Sequence, residues 1–328
     1  MKKIYGNKYL LDTLHNMIRR NKPAHSVIFY GEKGSGRKLM ADYYTSQLLC
    51  KFPNGGKPCG MCSSCRNTGA GIHPDVMYVP TEGKLESYSV RTARSVIADS
   101  GIKPNNDTAR KVYIFRDCRN MSTQTQNTLL KLIEEPPEYA YFIFTAESRN
   151  EFLPTIISRC ICLGVSTCTT DEAVQSLSES GYNTEEINSA TACFHGNIGR
   201  CTDYILDGEL KKQVDLTKRI SDSIIRKDEY GLNSALYSVG SSRSDIREVL
   251  SMLDKLIRDC AILSRDENAR TISCFRGAAQ ELSGIMTVYQ AISVHDTIEK
   301  AWKAVDSNVS APLVFSGLCA EIMTILDC

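Results

Sequence analysis

No stretch of this sequence approaches 18 consecutive apolar residues, which excludes a membrane-spanning helix. The basic segment at residues 1–20 also lacks the uninterrupted apolar core of a secretory leader, so a cytoplasmic location is expected. Charge of one sign is missing as well. Against 39 Lys and Arg stand 38 Asp and Glu, a net +1, which argues against a surface that grips nucleic acid over its whole extent. A local basic patch remains open, and any DNA contact is expected to be shared with partners. Proline (10) and glycine (21) are too few, and low-complexity runs too absent, for a disordered chain. With 42% hydrophobic and 23% charged residues, the 328 residues predict a globular protein of two or three domains.

What is plentiful is cysteine, 14 in all. Four of them, Cys50, Cys59, Cys62 and Cys65, are spaced C-x8-C-x2-C-x2-C, with Pro53, Gly55, Gly56, Pro58 and Gly60 between them to allow tight turns. Thiolates at such short separations suit one tetrahedral ion better than two disulfides, and four cysteine ligands leave no open position for water. The expectation is therefore a structural zinc site without catalytic chemistry. In a reducing interior the other cysteines, Cys118, Cys160, Cys162, Cys168, Cys193, Cys201, Cys260, Cys274, Cys319 and Cys328, are expected as free thiols acting as small core hydrophobes.

Short β-branched and aromatic runs at residues 26–30, 76–79, 112–115, 141–146 and 160–163 read as buried strands. Helix-compatible stretches at 37–49 and 124–135 lie between them, and the alternation predicts an α/β domain with a mainly parallel sheet over residues 1–165. Beyond that point apolar residues recur at helical spacing, as with Leu250, Leu253, Ile257 and Ala261, and with Ala301, Ala304 and Val305. A small helical domain is expected at 166–206, with a helix ending near Gly196, and a larger all-helical domain at 207–328. The single Trp302 and the amphipathic helices of that last part fit an internal core and a subunit interface equally.

Gly31-Glu-Lys-Gly34-Ser-Gly36-Arg37-Lys38 follows a strand and opens a helix, the context that a phosphate-binding loop requires. A working loop continues with Lys and then Ser or Thr, the first for the terminal phosphates and the second for Mg²⁺; here those places hold Arg37 and Lys38. Lys38 stands one residue late, which turns its side chain about 100° around the helix axis. The loop glycines are intact while the metal-binding hydroxyl is missing, so ATP or ADP binding is left open and hydrolysis by the chain alone is not expected. The acidic pair that should follow the third strand is likewise altered to Arg116-Asp117. Arg159, in Ser158-Arg159-Cys160 before the last strand, has two readings: a surface arginine, or an arginine finger reaching a neighbouring subunit's nucleotide.

Several segments together resemble the clamp-loader subunits of bacterial DNA polymerase III, of the AAA+ group. They are residues 23–31, the cysteine quartet, His73-Pro-Asp75, Asn127-Thr-Leu-Leu-Lys-Leu-Ile-Glu-Glu-Pro-Pro137 and Leu153-Pro-Thr-Ile-Ile-Ser-Arg-Cys160. The likeness covers about the first 165 residues. It implies a phosphate-loop domain with a zinc module inserted at 50–65, a helical lid at 166–206 and a helical collar at 207–328 that joins subunits into a five-membered ring. Within the group, the missing Lys-Ser/Thr and Asp-Glu pairs, Gly199 in place of a sensing arginine and the chain length resemble the non-hydrolysing delta-prime type more than the gamma or tau motors. Arg200 stands beside Gly199 and offers a partial replacement. The resemblance implies a stator that offers Arg159 in trans to ATP on a neighbouring motor. The implied partners are gamma or tau and delta, with the sliding clamp and primer-template DNA met through the assembled complex. Thr145 occupies the place of a polar sensor and reads equally as a β-branched strand end. Lys131 and Lys84 read as solvated charges or as DNA phosphate contacts. Two alternatives differ in kind: an ATP-hydrolysing motor, which turnover by the isolated chain would reveal, and a stand-alone zinc-containing DNA-binding protein, which salt-dependent binding to primed DNA would reveal.

Overall fold

The computed structural model describes residues 3–83, 87–206 and 208–327; Lys84 and Cys328 therefore lie outside the described residues. The chain divides into two compact units, Met1–Ser176 with Gly196–Arg200, and Leu177–His195 with Cys201–Cys328.

The first unit contains α1 (Lys8–Arg19), β1 (Ser26–Tyr30), α2 (Arg37–Leu49), α3 (Ser63–Gly69), β2 (Val76–Tyr78), α4 (Val90–Ser100) and β3 (Lys111–Phe115). It continues with α5 (Thr123–Glu134), β4 (Ala140–Ala146), α6 (Pro154–Ile157) and β5 (Ile161–Gly164). All five strands are parallel, in the order β2-β3-β4-β1-β5. Strand alternation explains why the sheet is covered on both faces. Ile28, Tyr113, Phe115, Phe142 and Phe144 point into one core with Val96 of α4 and Leu129 of α5, whereas Val27, Phe29, Val112, Ile114 and Ile143 point into the other with Leu14 of α1 and Tyr44 of α2. Aromatic pairs stack across neighbouring strands on the first face, Tyr113 on Phe142 at 5.2 Å and Phe115 on Phe144 at 4.8 Å between ring centroids.

Between its neighbours β4 and β5, β1 stands where the strand order reverses, the place at whose carboxyl end open parallel sheets commonly bind ligands. Register then decides what meets there. Phe29 lies beside Thr145 and Phe115 beside Phe144, which brings the residues after β1, β3 and β4 to one edge of the sheet.

The remaining helices are α7 (Thr170–Glu179), α8 (Thr184–Phe194), α9 (Ile198–Leu206), α10 (Gly208–Ile225), α11 (Glu229–Tyr237), α12 (Arg243–Leu263), α13 (Arg276–Ile285), α14 (Val288–Asp306) and α15 (Ala311–Asp327). The second unit is built from helices around a single core, in which Leu250, Leu253 and Ile257 of α12 are buried, as their helical spacing predicts, and Trp302 is partly buried. No helix among the described residues is long and apolar enough to cross a membrane.

Candidate functional site

The loop between β1 and α2 has the backbone of a phosphate cradle. Gly34 and Gly36 take φ of +84° and +97°, which side chains disfavour, and a Cβ at Gly31 would collide with the carbonyl oxygen of Val165. Of the two side chains that follow, Arg37 faces inward and Lys38 stays exposed. Arg37 is buried, and its Nη2 lies 3.5 Å from Asp117 Oδ1 and 3.9 Å from Glu147 Oε1. Lys38 Nζ meets the other oxygen of Asp117 at 2.5 Å, and Glu147 is paired in addition with Arg119. Arg37 and Lys38 are thereby matched to the carboxylate after β3, the group that an active site of this kind directs at water.

Arg116 stands where a metal-binding carboxylate would, and it too is engaged. Its Nη2 donates to both oxygens of Asp42 on α2, at 2.8 and 2.9 Å, and its guanidinium lies 4.4 Å from the centroid of the Tyr78 ring. Asp117 adopts a left-handed backbone (φ 52°), and its N–H donates to Thr145 Oγ1 at 2.9 Å. The Thr145 hydroxyl thus fixes the turn after β3, which accounts for its burial at the strand end. Three donors of this region are left over: Arg37 Nη1, Arg116 Nε and the Ser35 hydroxyl, all buried, have no hydrogen-bond partner among the described residues. With the glycine cradle, the orphans on Arg37 and Ser35 fit an anion. A magnesium ion fits poorly, since no hydroxyl follows Arg37 and each nearby carboxylate faces an arginine or lysine.

The turn Gly196–Arg200 packs on this loop. Asn197 Nδ2 donates to the Lys33 carbonyl at 2.9 Å, and the Gly199 N–H donates to the Gly34 carbonyl at 3.2 Å. A Cβ on Gly199 would come within 2.6 Å of both the Cα and the carbonyl oxygen of Gly34, so a sensing arginine at this position has no room in this arrangement. The neighbouring Arg200 is buried.

Arg159 lies in the turn after α6. Its Nε meets Glu134 Oε1 at 2.6 Å, and its Nη1 donates to the Thr155 carbonyl at 2.9 Å and to Ser158 Oγ at 3.2 Å. The segment that leads into α6 is held against α5 by Gln126. Its Nε2 donates to the carbonyls of Met121 and Glu151, and its Oε1 accepts from the Leu153 N–H at 2.8 Å. The sequence Ser122 to Pro137 builds this support: Ser122 Oγ caps α5 at the N–H of Thr125, Leu129, Leu132 and Ile133 bury one face, and the paired prolines end the helix. Leu130 of this helix is only partly buried. Lys131, on the same helix, is exposed.

The four cysteines converge as expected. Their sulfurs all lie within 4.8 Å of one another, and Sγ of Cys59 and Cys65 are 4.0 Å apart, against roughly 3.8 Å between thiolates around a tetrahedral zinc. Cys50 caps the end of α2 and Cys62 the start of α3, so both helix ends supply ligands. Backbone N–H groups of Cys59, Cys62 and Cys65 donate to the sulfurs of Cys50, Cys59 and Cys62 at 3.2 to 3.4 Å. Such donors favour thiolate, and those of Met61 and Cys62 bring the Cys59 thiol down to about 6. Burial pushes the Cys50 and Cys65 thiols up, so their joint ionisation calls for a cation. The donor set fits zinc, for which Cys50, Cys59, Cys62 and Cys65 would be the ligands. No disulfide joins the described cysteines.

Sequence reasoning did not single out Asp42, Glu147, Asn197 or Glu134. Each is an ordinary polar residue whose role comes from a partner distant in the chain, and no local spacing marks it.

Residues 6–169 match the family described as DNA polymerase III, delta subunit. Among curated proteins, the chain is 30% identical to DNA polymerase III subunit delta' of Pseudomonas aeruginosa over 43% of each sequence. It is 28% identical to subunit delta' of Bacillus subtilis over 46% of this chain and 45% of that one, and 29% identical to subunit tau of the same organism over 48% of this chain and 27% of that one. The chain spans less than half the length of these relatives. Delta' and tau match at similar identity, so likeness by itself does not separate the two. A solved gamma subunit-related protein of Thermotoga maritima aligns over 96% of this chain and 99% of its own at 16% identity, with a TM-score of 0.41.

Proposed function

Because the chain belongs to the family described as DNA polymerase III, delta subunit, we propose that it is a clamp-loader subunit of the delta-prime type, working in the cytoplasm. In this reading it does not hydrolyse ATP itself. It joins gamma or tau and delta subunits through a helical collar (207–328), with residues 166–206 as a lid, and helps to load the sliding clamp on primed DNA. Arg159 is its contribution to chemistry, a guanidinium placed against the γ-phosphate of ATP held by the adjacent motor, where it stabilises charge in the transition state.

The observation that carries the reading is the internal pairing of the phosphate loop. Arg37 and Lys38 are matched to Asp117, and Arg116 to Asp42, so the groups that a motor keeps for phosphate, metal and water are bound to one another. The turn on Gly34 supports the same view. ATP turnover measured with primed DNA and clamp tests it: the isolated chain is expected to be silent, and adding it to motor and delta subunits is expected to raise their turnover. Turnover by the isolated chain would make it a motor instead.

A further inference from the structure

From the contacts of Arg159 we infer that Glu134 is its positioning residue, the group that sets the direction in which the guanidinium is offered; the inference rests on the arginine-finger reading given above. Glu134 is the last residue of α5, followed by Glu135 and two prolines. A carboxylate is electrostatically misplaced at a helix C-terminus, where the backbone carbonyls already concentrate negative charge. Propensity does not explain Glu134 there, and its contact does. Its Oε1 lies 2.6 Å from Nε of Arg159, an ion pair across the gap between α5 and the turn after α6.

The guanidinium has five N–H donors in one plane. The Nε side is ion-paired with Glu134, and Nη1 donates to the Thr155 carbonyl and to Ser158 Oγ. Nη2 makes no hydrogen bond or ion pair among the described residues, and the side chain keeps 39% of its surface exposed. Two anchors on different nitrogens fix both the position and the plane of the fork, and the unused Nη2 is the edge left for an external anion. Gln126 makes the arrangement rigid, because it ties the segment from Glu151 to Leu153 onto the same helix that carries Glu134. The tether and the entry to α6 therefore share one support, and α6 links that support to Arg159, so the orientation of Arg159 follows α5.

An exposed pair of this kind adds little to stability, so Glu134→Gln is expected to fold normally. Its effect should appear in the rate, because freeing a long side chain removes preorganisation without removing its charge. The test uses the full-length chain assembled with its motor and delta subunits, with ATP turnover measured on primed DNA and clamp. Glu134→Gln should lower kcat about 10-fold with KM for ATP unchanged, and Arg159→Ala should lower it on the order of 10³-fold. The double variant should match Arg159→Ala alone, since Glu134 acts only through the arginine. Wild-type or raised turnover in Glu134→Gln beside a slow Arg159→Ala complex would overturn this inference and leave the finger reading standing, as would equal losses from Glu134→Gln with and without Arg159. Unchanged turnover in Arg159→Ala would overturn the finger reading and this inference with it.

Discussion

Gly199 and Arg116 show how single residues define this site. A Cβ at Gly199 meets backbone atoms of Gly34, which cannot swing aside as a side-chain tip would. Gly199→Ala should therefore cost about 1–3 kcal/mol, seen as a lower urea midpoint for the first unit. Gly69→Ala, in the same unit, where a Cβ meets nothing within 4 Å, serves as the control that should not lower it. His15 gives a pH signature. Burial, reinforced by Lys57 and opposed by Asp12, holds it below its ordinary 6.5, while its Nε2 and the Tyr43 hydroxyl share a hydrogen bond at 2.7 Å. The unfolded chain thus takes up a proton that the folded protein resists. The stability contributed by His15 is whole above about pH 6.5 and is lost as the pH falls from there toward the lower folded value. Urea midpoints measured from pH 7.5 to 5.5 should decline, and His15→Gln, which cannot titrate, should flatten the decline.

At the scale of elements, the cysteine module joins the end of α2 to the start of α3, and Gly56 lies against the backbone of His15 on α1. If zinc holds the four sulfurs, the module is a brace for that side of the sheet, and its removal by a strong chelator should lower the melting temperature of the first unit by about 5–10 °C. Cys62→Ser should reproduce the loss and abolish the response to chelator. An unchanged melting curve after zinc is removed would contradict a structural role. These elements were largely legible in the sequence. β1 was readable because Ser26 to Tyr30 is a dense β-branched and aromatic run ended by a glycine, and α2 because Arg37 to Leu49 lacks any breaker. The cysteine spacing brought four ligands together as expected, since local chain geometry sets it. The ionic partners were not legible. Asp42 for Arg116, Glu147 for Arg37 and Glu134 for Arg159 depend on the strand order and on register, which place distant carboxylates beside these arginines without leaving a periodic trace.

The whole molecule pairs an α/β unit, whose phosphate-loop cations are ion-paired within the unit, with a helical unit carrying its own core. A balanced net charge of +1 suits a subunit that meets DNA within an assembly better than one that binds it alone. The isolated chain should accordingly show weak binding to primed DNA, and a salt slope equivalent to several phosphates would contradict that. The central claim is that this chain contributes an arginine to a neighbour's ATP while its own site is silent. The most direct test is steady-state ATP turnover by the full assembly on primed DNA and clamp, with wild-type chain compared with Arg159→Ala at equal subunit incorporation. The account predicts a fall on the order of 10³-fold with the assembly intact; turnover equal to wild type would contradict it.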